Sequence, residues 1–121
     1  MSGLSSAGET LLLNTLLAAR YVSLHTSDPS DAGSGEVSGG AYARQAVTFA
    51  NTGNNPTLAK NTNLVQFPIA TSFWGTITFF GLWSASSAGT FYISGPITTP
   101  KAITVDDIAR FVTDSLVVSA Q

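Results

Sequence analysis

A mainly β fold is predicted for this chain of 121 residues. The expected form is a single-domain antiparallel β-sandwich or jelly-roll-like fold of about seven strands, preceded by one N-terminal α-helix. Three observations predict it. From Tyr21 onward, apolar and polar residues alternate with period two in short segments, the signature of strands with one face toward a core. Clusters of Gly, Pro, Asn, Asp and Ser separate those segments, as turns between strands require. Near the N-terminus alone, leucines recur at spacings of three and four. The length suits one domain over residues 1–121, since a second core would leave both halves too small.

The helix is expected at about residues 7–19. Ser6-Ala7-Gly8-Glu9 has the S-x-x-E form in which a hydroxyl and a carboxylate satisfy the free amides of a helix start. Leu12, Leu13, Leu16 and Leu17 then form one apolar stripe, which a helix this short must dock to persist. The sandwich is expected over about residues 21–121. Its first strand puts Val22 and Leu24 on one face and Tyr21, Ser23 and His25 on the other, and Thr26-Ser27-Asp28-Pro29 turns it. A glycine-rich loop from Gly33 to Gly40 leads to a second strand over Tyr42–Phe49. Asn51–Asn63 holds five of the six Asn residues with Gly53 and Pro56, lacks periodicity, and reads as an exposed loop. Extended structure resumes over Leu64–Ile69. Phe73–Trp83 carries large apolar groups on both faces and is expected to be a central strand. It is expected to form a hairpin with Thr90–Ser94. Past Pro96 and Pro100, short strands are expected at Ala102–Val105, Ile108–Val112 and Leu116–Ser119, the second of which could also be a helical turn.

Composition narrows the function. Only 10% of residues are charged, against roughly 25% in an average soluble domain. In their place stand 15 Ser, 15 Thr and 11 Gly. A surface of this kind is wettable but weakly charged, which suits burial against partners. Arg20, Arg44, Lys60, Lys101 and Arg110 are scattered and net charge is −2, so no phosphate-tracking surface and no nucleic-acid partner is expected. The absence of cysteine excludes disulfides, thiolate metal sites and thiol catalysis. Mean hydropathy is +0.25, yet Leu11–Leu13 is far short of the roughly 18 apolar residues a membrane span needs. No signal peptide and no membrane association is expected.

Candidate chemistry is sparse. His25 is the sole histidine, and no G-x-S-x-G elbow or H-x-x-x-H spacing accompanies it. The alternative is that His25 and Thr26 bond backbone at the strand end while Asp28-Pro29 fixes the turn. Asp106 and Asp107, with Asp114, lack the D-x-[DN]-x-[DN]-G pattern of a calcium loop and read as turn or cap residues. The Gly33–Gly40 stretch has no G-K-[ST] ending, so it is not read as a phosphate cradle. No catalytic residue, cofactor or metal is therefore assigned. Trp74, Trp83, Tyr42 and Tyr92 could stack on sugars, but aromatics at strand spacing more often fill a core or subunit interface. Arg44, on a weakly charged chain, suits a planar bidentate anchor between subunits or, equally, a solvated strand position. The residues expected at an interface are Leu12, Leu16, Tyr42, Arg44 and Trp74.

Three segments in order carry a resemblance: Tyr21-Val22-Ser23-Leu24-His25-Thr26-Ser27-Asp28-Pro29, Glu36 to Gln45 with its Gly39-Gly40-Ala41-Tyr42-Ala43-Arg44, and Trp74-Gly75-Thr76-Ile77-Thr78 with Phe80-Gly81-Leu82-Trp83. With the apolar N-terminal segment, they make the chain resemble small tailed-phage proteins labelled phage tail fibre proteins, from about Leu11 to the C-terminus. At the position where that group has a Gly-Asp turn, this chain has Asp106-Asp107. The resemblance implies a non-enzymatic structural protein of the virion. With no coiled coil or repeat to build a shaft, the expected role is a capsid decoration (cement) protein. It would form a homo-oligomer such as a trimer and bridge major capsid subunits on the capsid surface. The alternative is a tail-fibre or tail-tip component that takes part in host attachment.

Overall fold

The computed structural model describes residues 5, 7, 8, 11, 14, 15, 17, 18, 20–52, 57–113 and 115–120. Among them nine strands form three antiparallel sheets. The strands are β1 (Arg20–His25), β2 (Gln45–Val47), β3 (Phe49–Thr52), β4 (Thr57–Asn61), β5 (Val65–Gln66), β6 (Gly75–Trp83), β7 (Phe91–Ile103), β8 (Arg110–Phe111) and β9 (Val117–Ala120). A four-stranded sheet has the order β2-β1-β6-β7, a three-stranded sheet β3-β4-β9, and a two-stranded ribbon β5-β8. The mainly β, antiparallel expectation holds; the sheet arrangement is three sheets and not a seven-stranded sandwich.

At the N-terminus, Ala7, Gly8, Leu11, Asn14 and Thr15 are helical, while the other positions of the expected helix up to Leu16, including Leu12 and Leu16 themselves, lie outside the described residues. No continuous helix is delimited among the described residues. Leu17 is buried and belongs to the core cluster.

Three expectations are corrected. The strand expected over Tyr42–Phe49 divides: Gln45–Val47 pairs with β1, and the chain then changes sheets at Thr48 to run beside β4. The expected Asn51–Asn63 loop contains β4, which is the centre of its sheet. Its asparagine at the strand end is buried and builds structure: the Asn61 Oδ1 accepts from the Leu116 N–H at 2.8 Å, and its Nδ2 donates to the Asn63 and Val112 carbonyls at 2.9 and 3.0 Å. Asparagine composition reads as loop because this side chain can mimic a backbone amide, and here that same property is used to close a sheet end. Finally, the strands expected at Thr90–Ser94 and Ala102–Val105 contribute Phe91–Ser94 and Ala102–Ile103 to one edge strand, β7. Opposite Thr78 it carries four residues, Ile97–Pro100, between the pairs Phe79↔Pro96 and Ile77↔Lys101. This is a bulge bracketed by two prolines, at a sheet edge where the missing N–H groups break no inner ladder.

The core is one cluster fed by all three sheets: Val22, Leu24, Phe80 and Leu82 from the large sheet, Ala59 and Val118 from the three-stranded sheet, and Val65 from the ribbon. Burying a side chain such as Phe67, which is 1% exposed, contributes about 2–3 kcal/mol. Strand β1 is covered on both faces. Val22 and Leu24 face the core cluster, while Ser23 and His25, both 0% exposed, lie under the segment that returns from Ser27 to Arg44.

Candidate functional site

The Ser27–Arg44 segment is held by one ion pair. The Arg44 Nε and Nη2 donate to the two Glu36 carboxylate oxygens at 2.8 and 2.9 Å, a bidentate fork. Its Nη1 donates to the Ala85 and Ala88 carbonyls at 3.0 and 2.8 Å, tying the loop to the β6–β7 turn. The guanidinium lies 3.7 Å over the Trp83 ring centroid, and the Arg44 side chain is only 8% exposed. Tyr42 completes the unit: its hydroxyl donates to Glu36 Oε2 at 2.7 Å and accepts from the Leu24 N–H at 3.0 Å. Burial pushes the Glu36 carboxyl up, but the hydrogen bonds from Arg44 and Tyr42 outweigh it and hold the carboxyl below its ordinary range. Burial, then the bond to Glu36, drives the Tyr42 phenol far above its ordinary value.

Beneath this brace runs a buried chain of hydrogen bonds whose directions are fixed by chemistry. The Ser34 carbonyl can only accept, so His25 Nδ1, at 2.7 Å, carries the proton. In the neutral ring Nε2 then accepts from the Ser23 hydroxyl at 2.6 Å, and the Ser23 oxygen accepts from the Trp83 indole N–H at 2.9 Å. Burial lowers the His25 pKa from its ordinary value, against the raising effect of the Ser34 bond and of Glu36. The Ser23–His25 spacing resembles a nucleophile beside its base. Yet both residues are 0% exposed, and the serine oxygen is occupied by Trp83. The pair is a structural link, consistent with the expectation that His25 bonds backbone at the strand end. Thr26 does likewise, donating its N–H to Gly35 O at 3.1 Å, and the Asp28 carboxylate caps the turn by accepting from the Ser30 N–H at 2.9 Å.

An open groove of about 730 Å³ lies between the bulged edge strand β7 and the β8–β9 segment. Its lining includes Ile77, Phe80, Ile97, Phe111 and Leu116, with Lys101 and Arg110 as its cations. The bulge supplies Ile97 and Thr99 to one wall, so the proline-bracketed irregularity in β7 shapes the groove. Size and lining fall in the range of sites that take an apolar partner group.

The residues expected at an interface have these places. Tyr42 and Arg44 make the contacts just given, within their own chain. The bidentate pair expected of Arg44 was one between subunits; the fork it makes here is with a carboxylate of its own chain, eight residues earlier. Trp74 is 6% exposed, packs edge-on against Tyr42 at 5.4 Å and donates its indole N–H to Gly40 O at 2.9 Å. Gly40 (φ +60°) leaves no room for a Cβ between Ser72 and Trp74. Leu12 and Leu16 lie outside the described residues. Sequence reasoning did not pick out Glu36, Ser23 or Asn61, whose partners sit 8, 60 and 55 positions away along the chain. It also treated Lys101 and Arg110 as scattered, whereas the fold brings both to one groove. Asp107 has the capping use expected, accepting from the Thr104 N–H and hydroxyl at 2.8 and 3.0 Å; Asp114 lies outside the described residues. Among the described residues no group of acidic, histidine or cysteine side chains could hold a metal ion, and no helix is long and apolar enough to cross a membrane.

A family model described as podophage GP4 fiber I protein gp80 matches residues 5–119. No curated protein matches the chain.

Proposed function

The chain belongs to the podophage GP4 fiber I protein gp80 family and is a structural protein of a phage virion, and from that premise we propose that it serves as a subunit of the fibre apparatus. It would join other virion proteins through surface contacts and take part in host attachment. The observation that carries this reading is the match itself, which spans nearly the whole chain and belongs to a fibre protein. The structure supplies compatible means. The large sheet and its returning loop are locked by the Glu36–Arg44 fork, and the groove beside β7 offers a shaped apolar surface. No step of covalent chemistry is part of this reading, and no cofactor, nucleic acid or membrane is needed for it.

A second reading rests on a different observation. With 10% charged residues and no coiled coil or repeat, the chain has the makings of a lattice-seated decoration protein. It would form a homo-oligomer, such as a trimer, bridging major capsid subunits against internal pressure through many weak contacts repeated by symmetry. Gold-labelled antibody against this chain on intact particles, viewed by electron microscopy, separates the two. Label confined to the tail is the expected result. Label spread over the head would overturn the fibre reading and establish decoration.

A further inference from the structure

Segments 69–74 and 103–107 run side by side. The Ala70 N–H donates to Asp107 O at 2.9 Å, the Asp106 N–H to Ala70 O at 2.8 Å, and the Trp74 N–H to Ile103 O at 2.9 Å. Three large apolar side chains emerge exposed from this pair of segments: Ile69, Phe73 and Val105 at 53, 63 and 55%. A phenylalanine that exposed on a chain with an intact core is a contact waiting for a partner. Next to Val105 along the chain is the exposed Asp106, while the Asp107 carboxylate caps Thr104 of its own chain. Lys101 and Ile103 of the same stretch line the groove, as does Arg110. Of the chain's five basic and seven acidic residues, two of each fall between Lys101 and Arg110. A third of the chain's charged residues thus fall in the stretch that carries exposed Val105 and Asp106 and lends Lys101 and Arg110 to the groove.

We propose that this surface binds a second copy of the chain, the exposed Ile69, Phe73 and Val105 of one copy seating in the β7–β8 groove of the other with Asp106 facing Lys101 and Arg110. The partner is argued from complementarity in both respects: the groove needs apolar groups of side-chain size bearing negative charge at their margin, and this chain displays such a group next to the groove itself. The inference goes beyond the reading of the protein as a virion subunit. It stands or falls on association in solution, whereas the position in the particle is decided by labelling.

The chain has no native cysteine, so introduced ones report cleanly. Phe73→Cys and Ile97→Cys variants, purified separately, mixed and oxidised, should give a covalent dimer on a non-reducing gel in clear excess over that from either variant oxidised alone. Sedimentation velocity of the wild-type protein should show association that rises with concentration. Arg110→Glu should weaken it about tenfold at low salt, with the difference shrinking as salt is added. A wild-type chain that stays monomeric at every concentration would overturn the proposal. So would a mixture of the two cysteine variants that yields no excess of covalent dimer while the wild type associates, because the contact would then lie elsewhere.

Discussion

Arg44 shows how much one side chain can hold when its geometry is planar. Its fork closes Glu36, its third nitrogen reaches the Ala85 and Ala88 carbonyls, and its flat face rests on Trp83. Arg44→Ala would strand a largely buried carboxylate and two carbonyls. It is expected to cost about 2–4 kcal/mol in urea unfolding. Arg44→Lys would keep the charge but lose the fork and the stacking, and should recover only part of that loss. A lysine variant as stable as wild type would show that charge alone matters here. From the sequence, Arg44 suited a bidentate pair with another subunit or a solvated strand position; the pair it makes lies within its own chain. Its partner was not legible there, because Glu36 meets it only after the Gly33–Gly40 segment has folded back over β1. The same holds for His25, whose residue type invites catalysis until Ser34 and Trp83 close around it.

Among the strands, the alternating pattern marked β1 and β6 well, because period two survives wherever a strand has a core to face. It failed where side chains stand in for backbone. Strand β4 ends in a turn-favouring residue, and Asn61 holds its place by bonding Leu116, Asn63 and Val112, contacts no local pattern reveals. In β7 the prolines did signal irregularity, but the response was a bulge and not an end, since the strand lies at the sheet edge. The close packing of β6 against β1 makes a sharper claim testable. A Cβ on Gly81 would stand 2.7 Å from Ser23 Oγ and 2.8 Å from His25 Nε2, both in the buried network, and 2.8 Å from Cε1 of the half-buried Phe91. Gly81→Ala is therefore expected to destabilise by about 1–3 kcal/mol through overpacking. Gly39→Ala, with nothing within 4 Å but a φ of +77°, should cost only the backbone strain of about 1 kcal/mol. Urea midpoints of the two variants compare them directly, and equal losses would mean the β1–β6 face has room to yield.

For the molecule as a whole, the buried polar network makes stability depend on pH in two stages. The His25 pKa lies below its ordinary 6.5 in the folded state, where burial disfavours the imidazolium. The unfolded chain therefore binds the proton more readily, and stability falls as pH drops below about 6.5 until the folded-state pKa is passed. Glu36 acts in the same direction at lower pH. Its folded-state pKa lies below the ordinary 4.5, so the stability that its bonds to Arg44 and Tyr42 contribute is present above about 4.5 and is lost as pH falls through the folded value. Melting temperatures by circular dichroism should thus decline between about pH 7 and pH 5, then more steeply below. His25→Gln can still offer one donor and one acceptor but does not titrate, so it should flatten the first stage and leave the second. Both stages act on one cooperative body, because His25 sits in the four-stranded sheet and Glu36 ties the returning loop onto it. A wild-type curve that is flat from neutral pH down to about pH 5 would show that His25 takes up its proton without disturbing Ser23, Ser34 or Trp83. The fold would then tolerate an imidazolium in a place where the geometry provides no acceptor for its second N–H except the Ser23 oxygen, already engaged by Trp83.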